Sequence, residues 1–277
     1  MDDTPPYAYL FGHKFLGGRP TFPVQSFLWR NRMTVMRTAY REHLDNFSHD
    51  LIGMCDGVEQ MMKLASSGLL TADLQKAEEA LSLKDDLEET RARCEERAVS
   101  LLALENPMGK DLRQVVSSIY IVEDLYRMGN LAKHIATAAR RRHPEPAIPD
   151  AYRGFFEEYT RLCIHLLEQT RDNLIAPDPD LAIQAAKDDD AVDDINGHLM
   201  SVLTQREWTE STRAAVDMAL LSRFFERFAD HAVSVNSRIV FLVTGLAPER
   251  YLAKKDEEAR AEDFEERFAD ITKQFRN

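Results

Sequence analysis

Residues that end helices are few in this chain and bunched, and the spacing between them dictates what it folds into. Pro5, Pro6, Gly17, Gly18, Pro20 and Pro23 crowd the opening stretch, which lacks helical periodicity and reads as an irregular N-terminal extension over residues 1–35. Downstream, breaks fall at Gly68, at Asn106-Pro107-Met108-Gly109, along the run from His143 to Pro149, at Pro177-Asp178-Pro179 and at Gly245. Proline cannot continue a helix, and glycine relaxes the turn that follows one. The intervals between breaks run to roughly 25–35 residues, far above the mean helix of about 11–12. Segments of that length joined by short connections pack as antiparallel neighbours in a bundle. No stretch shows the period-two alternation of a strand.

Each interval carries an apolar stripe at three- and four-residue steps. From Met36 to Leu70 it is Leu44, Phe47, Leu51, Met54, Val58, Met61, Met62 and Leu69. In the second interval, which ends near Glu105, it is Leu74, Ala77, Leu81, Leu87, Cys94, Ala98, Leu101 and Leu102. The third, about residues 110–142, includes Leu112 and Leu125 and closes on Arg140-Arg141-Arg142, cations suited to a helix C-terminus. After the linker the same three-beat order returns in helices over about 150–176, 180–205 and 209–244.

The third and sixth helices also align with each other. Arg113 pairs with Arg213, Val116 with Val216, Arg127 with Arg227 and Ala132 with Ala232. Apolar positions coincide as well: Ile121 with Leu221, Leu125 with Phe225, Met128 with Phe228 and Ile135 with Val235. The predicted fold is therefore all-α, two tandem three-helix bundles related by pseudo-twofold symmetry. The first repeat covers 36–143 and the second 150–245, with a charged C-terminal tail over 246–277.

Charge narrows the function classes. With 35 Lys and Arg against 47 Asp and Glu, the net charge is −12, which disfavours non-specific nucleic-acid binding. No apolar run approaches the roughly 18–20 residues of a membrane span. Cys55, Cys94 and Cys163 are scattered, form no CxxC and sit among apolar residues, as core thiols in a reducing compartment do. Asp2 and Asp3 stand where a secretory leader would be basic. A cytoplasmic protein is the expectation.

The best candidate for chemistry lies in the sixth helix, Arg223-Phe224-Phe225-Glu226-Arg227-Phe228-Ala229-Asp230-His231. Glu226 and Asp230 project from one helical face a turn apart, and a cation or a basic partner between them would relieve their repulsion. The alternative is a solvated acidic face balanced by Arg223 and Arg227. In the first copy Tyr126 stands at the place of Glu226 and Asn130 at that of Asp230, with Asp124 nearby, so that copy is degenerate as a metal site. From the acidic run of the fifth helix, Asp190 and Asp194 are the candidates to complete the second. His231 reads as a hydrogen-bonded helix residue. No Glu-x-x-His, HExxH, GxGxxG, P-loop or GxSxG is present, so no catalytic residues are assigned. The tail fragment Phe264-Glu265-Glu266-Arg267-Phe268-Ala269-Asp270 echoes the sixth helix.

Taken together, these features resemble the PhoU family, whose pattern is a duplicated three-helix bundle with a Glu/Asp-x-x-x-Asp motif in each copy. The stretch from Phe225 to Val235 is similar to the second motif and that from Leu125 to Ala136 to the first. Asn106 to Arg113 resembles the family's Pro-containing turn, and Phe241-Leu242-Val243-Thr244-Gly245 its terminal motif. The resemblance, over about Met36 to Gly245, implies a non-enzymatic cytoplasmic regulator of phosphate uptake and homeostasis. Its implied partners are the ATPase subunit of a phosphate ABC transporter and a sensor histidine kinase, and its implied role is negative regulation of the phosphate-starvation response. It also implies iron or zinc on the motif, for which Glu226 and Asp230 qualify as ligands and Tyr126 and Asn130 do not, and a homodimer. A reading of another class is a metal-dependent enzyme with a carboxylate-bridged centre at Glu226 and Asp230.

Overall fold

The structure, a computed structural model, describes the backbone of residues 24–205 and 208–274, and side chains over 40–205, 208–268 and at 271. All regular structure among the described residues is helical. Eight α-helices follow in order: α1 (Val24–Thr71), α2 (Leu74–Leu104), α3 (Lys110–Arg142), α4 (Arg153–Ile175), α5 (Pro179–Asp188), α6 (Asp190–Leu203), α7 (Thr212–Thr244) and α8 (Pro248–Gln274). Contacts divide the chain into two units, 1–41 and 42–277. Within the first, helix begins at Val24 directly after Pro23, inside the stretch expected to be irregular, while residues 1–23 lie outside the described residues.

The second unit holds the duplicated bundle. Helix α3 packs along α7 at the centre, α2 covers α3, and α4, α5 and α6 cover α7. Local chemistry sets the boundaries. Asp73 accepts a hydrogen bond from the Lys76 amide to start α2, Asp178 caps α5 with Pro179 at its first position, and Ser211 caps α7 through the Ala214 amide. Gly245 closes α7 at φ 75°, a left-handed conformation that favours glycine.

Equivalent burial in the two halves carries the symmetry. On the central helices Ser117 and Asp217, Ser118 and Met218, Ile121 and Leu221, Leu125 and Phe225, Met128 and Phe228, and Ala132 and Ala232 are all buried. On the covering helices the equivalent buried pairs are Ala77 and Ala182, Ala80 and Ala185, Lys84 and Asp189, Leu87 and Val192, and Cys94 and Leu199, with Asp189 only partly covered.

Two expectations change. The predicted fifth helix is two helices, because the chain interrupts itself at Asp189, which ends α5 and opens α6. Leu74, Leu102 and Leu112, placed inward by periodicity, are exposed, since each lies in an end turn that reaches past its neighbours. The linker is an ordered part of the core: Ala147 and Ile148 are buried, and His143 Nδ1 lies 3.0 Å from the Ala72 carbonyl. Arg141 and Arg142, at the end of α3, both pair with buried Asp217 on α7. Helix α8 is anchored at its start, where Lys255 Nζ meets Asp180 at 2.6 Å and Tyr251 donates to it. Farther along, Phe264 and Phe268 are exposed on α8 and stack on each other.

Candidate functional site

The acidic site of the second repeat forms where α6 meets α7. The inward stripe of α5 and α6 is Ala182, Ala185, Asp189, Val192, Asn196 and Leu199, so a carboxylate occupies a core-facing position where the helix breaks. Asp189 precedes the first turn of α6, and Asp190 and Asp193 lie in that turn. The positive end of the helix dipole makes this a tolerable place for negative charge. Opposite stands Glu226, buried, with Asp230 one turn on and half exposed. Below it runs a polar chain in the core, Tyr159 to Ser222 at 2.7 Å and Ser222 to Asn196 at 2.7 Å, and burial pushes the Tyr159 phenol up.

The carboxylates act on each other. Burial, then the charges of Asp193, Asp230, Glu226 and Asp190, push Asp189 from 3.8 up to about 7. Asp193 and Glu226 rise by the same two causes, opposed in each by Arg223. Asp189 Oδ1 is buried and has no hydrogen-bond partner among the described residues. A folded group that keeps its proton to about pH 7, against 3.8 for an unperturbed aspartate, gives the native state more bound protons over that interval. The Asp189 contribution to the stability of the metal-free protein therefore falls as pH rises from about 4 to about 7 and levels off above. Asp189→Asn should remove that slope, adding about 1 kcal/mol at pH 8 after solvent screening and nothing at pH 4. Thermal melts of both proteins in chelator across this range check it, and parallel pH profiles would refute it.

The residues nominated from sequence are distributed unevenly. Glu226 and Asp230 do share the site, and each also pairs with the arginine three residues before it, Arg223 with Glu226 and Arg227 with Asp230 at 3.5 Å. The balanced acidic face and the crowded carboxylate site are thus the same surface. Asp190, Asp193 and Asp194 are exposed; the inward position is Asp189, partly covered, which sequence reasoning missed. The signal was available in the small-residue stripe Ala182-Ala185, whose next step is Asp189. Among the described residues no three His, Cys, Asp or Glu side chains converge closely enough to hold a metal ion as they stand. The donor set, four carboxylates with one orphaned oxygen, is nonetheless of the kind a hard cation takes.

The first copy does not assemble as one site. Asp124 turns to α7, where His231 Nδ1 meets its carboxylate at 2.9 Å, so His231 is the hydrogen-bonded residue expected and ties the two central helices together. Tyr126 faces α2 instead, beneath Lys84 and Arg91. Positions 124 and 126 point about 200° apart on a helix, so the two side chains do not face one site. His134 stacks on Phe224 at 5.2 Å. The three cysteines are buried and free, and burial leads the causes that raise Cys55 to about 12 and Cys94 to about 11, as inert core thiols require.

Comparison with known proteins places this architecture. The family model of the PhoU domain matches twice, over residues 51–139 and 156–239. A Mycobacterium tuberculosis protein named phosphate-specific transport system accessory protein PhoU homolog 2 is 46% identical over 213 residues, 77% of this chain and all of that one. PhoU homolog 1 of Mycobacterium leprae is 44% identical, over 77% of this chain and 96% of its own. Crystal structures of PhoU from Streptococcus pneumoniae and Pseudomonas aeruginosa superpose with TM-scores of 0.69 and 0.67 at 22% and 23% identity, each over 75% of this chain and 98% and 100% of theirs. With the domain matched once in each repeat, over 51–139 and 156–239, the chain belongs to the PhoU family.

Proposed function

We infer that this protein is an accessory regulator of phosphate uptake, working as an adaptor between the ATPase subunit of a phosphate ABC transporter and a sensor histidine kinase. Through that link it restrains the phosphate-starvation response when phosphate is ample. The observation that carries the reading is identity of 46% across the whole length of a relative named as a phosphate-specific transport accessory protein. Two features of the molecule support it. No helix among the described residues is long and apolar enough to cross a membrane, which fits a protein that acts on membrane complexes from outside the bilayer. The chain carries a net charge of −12, which favours basic protein surfaces as partners.

The second-repeat carboxylates belong to the same reading. A divalent cation, iron and zinc included, held by Asp189, Glu226 and Asp230 would cancel the repulsion that raises their proton affinity and tie α6 to α7. The chain's own residues supply the rest: Arg223 and Arg227 offset the acid while the site is without metal, and the Tyr159–Ser222–Asn196 chain fixes the floor.

The adaptor role is tested with the full chain, affinity-tagged and expressed in its host grown in ample phosphate. Capture should recover a phosphate-transporter ATPase or a sensor kinase, and deletion should switch on starvation genes in high phosphate. Recovery of neither, with a normal phosphate response after deletion, would overturn the role.

A further inference from the structure

The repeat symmetry places a lysine where the other half has its most perturbed acid. Lys84 of α2 is the equivalent of Asp189, and Glu88 that of Asp193, in the register that also matches Ala77 with Ala182, Ala80 with Ala185, Leu87 with Val192 and Cys94 with Leu199. Across the helix interface Tyr126 and Asn130 replace Glu226 and Asp230. The second repeat thus gathers four carboxylates at positions where the first has one carboxylate, one ammonium and two neutral groups.

Lys84 is 7% exposed, and its Nζ makes no hydrogen bond. It has two electrostatic partners: Glu88, as an ion pair at 3.5 Å, and the Tyr126 ring, whose centroid lies 3.7 Å from Nζ. Arg91 stands over the same ring at 4.5 Å and is itself held by Glu95 and Glu123 at 2.8 Å. Burying an ammonium is costly unless something replaces its water. The negative face of an aromatic ring does so, most effectively when the pair is desolvated.

The geometry points to Lys84 as the resident cation of the first repeat: its ammonium, seated on the Tyr126 ring, takes the place that a metal ion would have between acidic side chains, and closes this half to metal. Loss of the carboxylates at 126 and 130 is therefore a completed exchange of one cation for another, in which the ligands became an aromatic face and the ion became part of the chain. Both halves then need a positive charge between the covering and central helices, and only the second draws it from solution. This rests on the cation-binding reading of the second repeat for its comparison, while the Lys84–Tyr126 pairing stands on its own contacts.

Two experiments on the full chain separate those supports. In chelator, Lys84→Met, which keeps the apolar stem, and Tyr126→Leu should each lower Tm by about 2–4 °C, and the double variant by no more than the larger of the two. Additive losses, or none for Lys84→Met, would overturn the pairing. Equilibrium dialysis against Mn²⁺ alone should give one ion per wild-type chain, none for Asp189→Asn and two for Lys84→Asp/Tyr126→Glu/Asn130→Asp. Two ions on the wild type, or no gain in the triple variant, would overturn the exchange. No ion on the wild type and one on the triple variant would refute the second-repeat reading and leave this inference standing. If the triple variant fails to fold, the melting cycle decides the matter.

Discussion

Arg142→Ala is expected to lower the thermal midpoint by about 5–10 °C, corresponding to a loss of about 2–3 kcal/mol. Asp217 is 5% exposed and is neutralised by two guanidinium groups from the end of α3. They are unequal partners. The Arg142 side chain is 11% exposed, whereas that of Arg141 is 56% exposed and screened by water. Removing Arg142 leaves a buried carboxylate with the weaker partner and the full cost of its desolvation, the situation in which breaking a buried pair is most damaging. Arg141→Ala should cost well under half as much. A paired replacement, Arg142→Met with Asp217→Leu, should recover most of the loss, because neither charge is then left alone. Chemical denaturation of the four proteins checks the set; equal effects of the two single arginine variants would show that burial does not rank them.

Gly129→Ala should destabilise by about 1–2 kcal/mol, even though alanine is the better helix former by about 1 kcal/mol. A methyl group at Gly129 would sit 2.1 Å from Leu87 Cδ2 and 3.7 Å from Met61 Sδ. Leu87 is 4% exposed and has little room to retreat, so overpacking outweighs the gain in propensity. At the equivalent positions the second repeat has Ala229 in place of Gly129 and Val192 in place of Leu87, both buried. Leu87→Val combined with Gly129→Ala should therefore return to wild-type stability or slightly above it. A double variant as unstable as the worse single one would mean that the two interfaces differ in more than volume.

These two sites show where sequence reasoning reaches and where it stops. Periodicity found the long helices because their stripes are almost continuous: Phe47, Leu51, Met54, Val58, Met61 and Met62 were all assigned inward and all are buried. The duplication was readable because equivalent positions on α3 and α7 kept their size class even where identity was lost, as at Leu125 and Phe225. What periodicity could not place were Lys84, Asp189 and Asp217. A hydropathy pattern scores charge as exterior, yet Lys84 is held inside by a tyrosine on the next helix and Asp217 by arginines at the far end of α3. Asp189 is partly covered, its proton affinity raised by burial and by like charges on α6 and α7. The same limit chose Asp190 and Asp194 over Asp189. The break between α5 and α6 was equally hidden, because Asp188, Asp189 and Asp190 contain neither proline nor glycine.

The buried linker has a consequence for how the halves came to differ. With Ala147 and Ile148 packed and the start of the connection pinned through Arg142 and His143, the two repeats are never separate molecules searching for each other. Each meets its neighbour at the effective concentration of a short tether, in the millimolar range, so their association survives interfaces too weak to hold a free dimer. Substitutions that would have dissolved a homodimer are thereby tolerated in one half at a time. A symmetric homodimer must accept every change twice; a tethered chain accepts it once, so one half can carry a lysine where the other has an acid.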